Sequence, residues 1–187
     1  MKYIKTAIVL ILSIFIFSGF WSGKTKTEQI NERLQIRTQT LNDLFKYDPK
    51  AQAILQNSYG YAVFSNVGLN LVVFSAEGGV GLAHNNKTGK NTYMNMASGG
   101  VGFGFGIKDF KAVFLFENKR VFDNFVNYGW EANVQADAAL KHKDEGKAIG
   151  AAITVAPGIR LYKMTKSGLA LQATIQGTKY WKDKDLN

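Results

Sequence analysis

Four glycines at alternate positions, Gly100, Gly102, Gly104 and Gly106 in the stretch GGVGFGFGIK (residues 99–108), are the first candidates for chemistry in this sequence. Glycines cradle phosphate when they form a turn that opens a helix, with G-x-x-x-x-G-K-S/T or G-x-G-x-x-G spacing, because backbone N–H groups then converge on the anion. Neither spacing occurs, and TGK at 88–90 is followed by Asn91 and lacks the upstream glycine. Gly102, Phe103, Gly104 and Phe105 also match the centre of the RNA-recognition strand whose rings stack on bases. The flanks do not match: Val101 stands where a phosphate-binding Lys or Arg belongs, and Gly106 replaces the valine. Nucleic acid is therefore not expected as a partner. A period of two specifies a strand with bare backbone on one face and Val101, Phe103, Phe105 and Ile107 on the other. Gly79, Gly81 and Ala83 repeat the pattern one strand earlier, so the two predict a tightly curled, barrel-like sheet.

Other chemistry is sparse. With no cysteine, the chain has no disulfide, thiolate nucleophile, Cys-ligated zinc or iron–sulfur cluster. His84 and His142 lie in or beside polar turns, where a lone histidine is usually solvated. Glu131 and Asp137 share a strand face but stand about 20 Å apart, against about 5–10 Å for paired acid and base carboxyls. The expectation is a non-enzyme with no cofactor and no metal.

The positioning elements follow from periodicity. Residues 6–23 carry no charge and follow Lys2 and Lys5, the pattern of a secretory signal, and their length is near the lower end of the about 17–25 residues that span a bilayer. Residues 1–23 are read as a signal peptide or N-terminal anchor and 24–187 as one domain, exported, periplasmic or membrane-anchored facing the periplasm. Ile30, Leu34, Leu41, Leu44 and Phe45 predict an amphipathic helix over 25–46, whose apolar stripe docks on the sheet or faces a membrane. Asp48 and Pro49 predict the cap and first turn of a second helix to about 58. Strands are expected at 59–64, 70–83, 91–107, 111–118, 131–140, 158–165 and 169–181, with a short helix at 119–127 stopped by Gly129. The class is α+β: a curled, mainly antiparallel sheet with N-terminal helices and one inserted helix.

NSYGYAVFSNVG (57–68), the glycine-faced strands, VFLFENKRVFDNF (113–125), WEANVQADAA (130–139) and TKSGLALQATIQGTKYW (165–181) together resemble the SYLF domain family over about residues 47–185. Ser65 replaces the proline of the family's usual Y-A-V-F-P, and the lipoprotein cysteine of many bacterial members is lacking. The resemblance implies a β-rich domain with accompanying helices that binds phospholipid without known catalysis. Actin binding belongs to a yeast branch and is not carried over, because an exported protein would not meet actin in its own cell.

The 23 Lys and Arg against 14 Asp and Glu give a formal charge of +9, which favours acidic surfaces. The expected function is binding of anionic phospholipid, or a membrane surface, in the bacterial cell envelope. The candidate cations are Lys24, Lys26, Arg33 and Arg37 on or before the first helix, with Lys108, Lys111, Lys119 and Arg120 around the central strand and inserted helix. Two other readings stay open: a small outer-membrane β-barrel, and an interaction or structural envelope protein whose protein partner is unknown.

Overall fold

Thr25 starts the first helix. Its hydroxyl accepts from the Glu28 N–H at 3.3 Å and its own N–H donates to the Glu28 carboxylate at 2.7 Å, a reciprocal box that satisfies two otherwise orphaned donors. Helix α1, Lys26–Tyr47, follows. The computed structural model describes residues 24–66, 77–98, 110–131, 152–165, 168–169 and 178–187. Helix α2, Ala51–Asn57, begins later than Asp48 and Pro49 suggest. The Asp48 carboxylate accepts from the Lys50 N–H at 3.1 Å, closing a turn that must finish before helical bonds begin. Helix α3, Lys119–Tyr128, is capped by Asn118, whose Oδ1 accepts from the Val121 N–H at 3.1 Å, and it ends at Gly129 with φ +77°.

The strands are β1 (Gly60–Ser65), β2 (Glu77–Asn85), β3 (Asn91–Ser98), β4 (Phe110–Phe116), β5 (Trp130–Glu131), β6 (Ile153–Ala156), β7 (Ile159–Thr165), β8 (Gly168–Leu169) and β9 (Thr178–Lys182). Every pairing is antiparallel, in the order β5-β9-β3-β2-β1-β4-β7-β6, with β8 also on β7. The expected α+β class with a curled antiparallel sheet, N-terminal helices and an inserted helix is what forms. Strand β6 is an element that the sequence pattern did not single out.

Alternation along β1 and β4 sorts the core into two layers. Phe64, Phe114 and Phe116 point to the concave side and meet Phe122 and Phe125 of α3 together with Trp130 and Tyr180. Tyr61, Val63, Val113, Leu115 and Tyr162 point to the convex side and meet Leu44, Ala51 and Leu55 of α1 and α2. All six residues of β1 are consequently buried.

Helix α1 crosses the strands. Arg33 touches Asn95 of β3, and Asp43 reaches Lys111 of β4. The ten residues between them rise about 15 Å. Three strand spacings, β3 to β2 to β1 to β4, cover about 14 Å. The first helix therefore docks across the outside of the sheet.

The small-residue face of β2 lies on the concave side. A methyl at Gly79 would stand 2.8 Å from the Ser65 carbonyl oxygen and 2.9 Å from Met96 Cγ. One at Gly81 would stand 2.6 Å from the Phe64 ring and collide with the Val63 carbonyl. On this strand the missing side chains give space to neighbouring rings and backbone. The alternating glycines of residues 99–108 lie outside the described residues. Gly81→Ala is expected to cost about 1–3 kcal/mol or more, because backbone as well as a ring must move. Gly89→Ala, in open space at φ +72°, is expected to cost about 1 kcal/mol. Urea unfolding followed by tryptophan fluorescence checks the order, and equal losses would contradict the crowding at Gly81.

Candidate functional site

Among the described residues the predicted cations do not form one patch. Lys24, before α1, pairs with Glu32 at 2.8 Å, and Lys26 is exposed with no ion pair among the described residues. Arg33 corrects the expectation. It is 2 % exposed and lies 2.8 Å from Asp183, with Asn95 Oδ1 also at 2.8 Å. Burial pulls its pKa down and Asp183 opposes that pull. Arg33, Thr40 and Leu44 recur at helical spacing on the face turned to the sheet, so the buried stripe includes an arginine expected among the lipid-binding cations. The register of Leu44 carries that signal. Its counter-ion, 150 residues away, has no local signal.

Arg37 is half-buried against Tyr61, whose pKa is raised by burial and pulled back by the Arg37 charge. Lys111 pairs with Asp43 at 2.6 Å, and Lys119 pairs with Asp123 one turn along α3. Lys108 lies outside the described residues. The α1 cations and Lys111 belong to the convex side, whereas Lys119 and Arg120 belong to the helix packed into the concave side.

The beginning of α3 is electrostatically unusual. Its first turn contains Lys119 and Arg120 and no acid, although the positive end of a helix dipole favours carboxylates there. Asp123 compensates Lys119 and raises its pKa. Arg120 is exposed and enters no ion pair among the described residues. The nearby Glu117 is held by Arg160 at 2.9 Å. Four-residue spacing aligns Arg120, Asn124 and Tyr128 on one exposed stripe, and Tyr128 is 87 % exposed.

Beside this stripe is a pocket of about 280 Å³ lined by Arg120, Val121, Asn124, Phe125, Gly129, Trp130, Pro157 and Ile159. Gly129 permits its shape, since a side chain there would meet the Tyr180 carbonyl oxygen at 2.5 Å while the chain turns from α3 into β5. Trp130 is fixed by Phe114 and Phe125, with ring centroids at 5.6 and 6.4 Å. Gly158, φ +76°, turns β6 into β7 close to Val121. A guanidinium and an amide thus stand over an apolar, partly aromatic wall, an arrangement that can bind an anion attached to hydrocarbon. Sequence reasoning named Arg120 but missed Asn124, Tyr128 and Trp130. The spacing of the first two along the predicted helix was the available signal.

The remaining candidates stay apart. His84 Nδ1 lies 2.7 Å from Asn91 Oδ1 with its ring against Tyr61, and Glu131 is exposed opposite Lys179. His142 and Asp137 lie outside the described residues. No group of three or more His, Cys, Asp or Glu able to hold a metal occurs among the described residues, and no helix among them is long and apolar enough to cross a membrane.

The chain is 36% identical over 183 residues to Beta cell expansion factor A of Aeromonas veronii, covering 87% of this chain and 66% of that protein. It therefore spans just under two thirds of that relative's length. No protein-family model matches it.

Removing the partner of a buried charge is far costlier than removing a surface one. Asp183→Ala, which strands Arg33, is expected to lower stability by about 3–5 kcal/mol. Lys24→Ala is expected to cost less than about 1 kcal/mol. Chemical denaturation of the two variants checks this, and a small loss for Asp183→Ala would refute the buried clasp.

Proposed function

Taking the relationship to that protein as a premise, we propose that the chain is a non-catalytic module binding acidic phospholipid in the bacterial cell envelope, of the SYLF type that its segments resemble. The observation that carries this reading is the α3 stripe: Arg120, without an ion pair among the described residues, and the exposed Tyr128 flank Asn124 on one side of a helix. A cation near an anionic membrane gains about 1 kcal/mol. Tyrosine is favoured at the interface because its ring is apolar and its hydroxyl stays wet. The formal charge of +9 supplies longer-range attraction.

The described strands argue against the outer-membrane barrel reading. A spanning barrel presents its outer strand face to lipid, whereas α1 and α2 cover that face of β1 and β4 here. A protein-interaction role for the same surface is the remaining alternative, and it predicts association without a lipid requirement.

Co-sedimentation with phosphatidylcholine vesicles, with and without phosphatidylglycerol, tests the proposal. Binding is expected to require the anionic lipid and to fall as salt rises. Arg120→Gln is expected to weaken it about fivefold, the equivalent of about 1 kcal/mol. Lys26→Gln, on the other side of the sheet, is expected to change it less. Binding that ignores both salt and headgroup charge would refute the proposal.

A further inference from the structure

The stripe on α3 could act as a diffuse electrostatic surface, in which any nearby cation would serve. The pocket beside it makes a sharper demand. Arg120 and Asn124 provide donors at its rim, while Val121, Phe125, Trp130 and Ile159 give it a hydrocarbon wall. Phe125 and Ile159 are buried and Trp130 is braced by two rings, so that wall is preformed rather than assembled on binding.

A second groove offers a contrast. It measures about 340 Å³ between α2 and the ends of β4 and β7, and it also has an arginine, Arg160, beside Ile54 and Leu115. There Glu117 occupies the guanidinium at 2.9 Å, so the positive charge is already answered. Among the described residues the charge at Arg120 has no such partner.

We propose that the Arg120 pocket binds one phospholipid molecule, its phosphate held by Arg120 and Asn124 and its glycerol carbons laid against Val121 and Trp130. Charge complementarity selects the phosphate. The apolar wall selects an esterified phosphate over the free ion. The volume of about 280 Å³ lies at the small end of ligand sites, enough for a headgroup and glycerol but not for two acyl chains, which stay in the bilayer beside Tyr128. This inference rests on the phospholipid reading but adds stoichiometry and a defined location to it.

The test uses the full chain and titration calorimetry with dihexanoyl phosphatidic acid below its micelle concentration. Glycerol 3-phosphate and inorganic phosphate form separate arms, and vesicle co-sedimentation runs in parallel. Saturable binding of one dihexanoyl lipid per chain is expected, weakened about tenfold or more in Arg120→Gln, consistent with loss of a charge-assisted hydrogen bond. Asn124→Trp fills the pocket from an exposed position, so the fold is retained while binding is lost. Arg160→Gln is expected to bind as the parent does.

Vesicle binding without monomer binding would overturn the pocket and leave the membrane reading standing, whereas loss of both would remove both. Equal affinity for inorganic phosphate would overturn the role of the hydrocarbon wall and reassign the pocket to the free ion. Binding unchanged in both Arg120→Gln and Asn124→Trp would place the lipid elsewhere and overturn the proposal.

Discussion

The concave side of the sheet must bury a crowd of rings, and the rest of the molecule is arranged around that requirement. Phe64 and Tyr180 stand 4.7 Å apart, Phe114 and Tyr180 4.9 Å, and Phe116 and Phe125 4.8 Å, mostly tilted or edge-to-face as ring quadrupoles prefer. Large residues on adjoining strands can share one face only if another strand gives way. Strand β2 does so, with Gly79, Gly81 and Ala83 beneath the space that Phe64 and Met96 occupy. Helix α3 then closes the cluster with Phe122 and Phe125. Full burial pushes the Tyr180 pKa up, one measure of how completely water is excluded.

The convex side solves a different problem. A long helix laid across four strands has less apolar surface to offer, and its buried stripe includes Arg33 and Thr40 beside Leu44. Burying a guanidinium requires a compensating charge, and Asp183 provides one while also accepting from the Asn95 amide at 3.1 Å. The final residues fold back as part of the same network. Asp183 Oδ1 accepts from the Asp185 N–H at 3.0 Å, and Asn187 Oδ1 accepts from the Tyr93 N–H at 3.0 Å. The helix is thereby fixed in position along the sheet by directional bonds where apolar packing alone would permit sliding.

Basic composition and basic surface are separate properties. Of the candidate cations, Lys24, Arg33, Lys111 and Lys119 are answered by carboxylates. The charge that matters for recognition is the one left over after internal pairing. Among the described residues Arg120 is one such charge, and α3 brings it to the surface beside a pocket while the helix's aromatic side is committed to the core. Core packing and site geometry are therefore linked, since the rings that anchor α3 also fix Trp130 at the pocket wall.

Periodicity made much of the architecture legible: the amphipathic α1, the inserted helix ended by Gly129, the alternating strands, and a small-residue face that implied curling. These follow from local sterics and from the spacing of apolar residues, which travel with the chain itself. Strand order, the crossing of α1, the 33–183 pair and the meeting of Arg120 with Trp130 and Ile159 depend on contacts between distant segments. Helical spacing could place Arg33 on a face but could not say which face would be buried, because that depends on what lies opposite. By itself the sequence determined most of the described elements, β6 excepted, and the excess of positive charge. Tertiary structure decided which charges are cancelled and which remains beside an apolar pocket, because pairing depends on distance in space and not on separation along the chain.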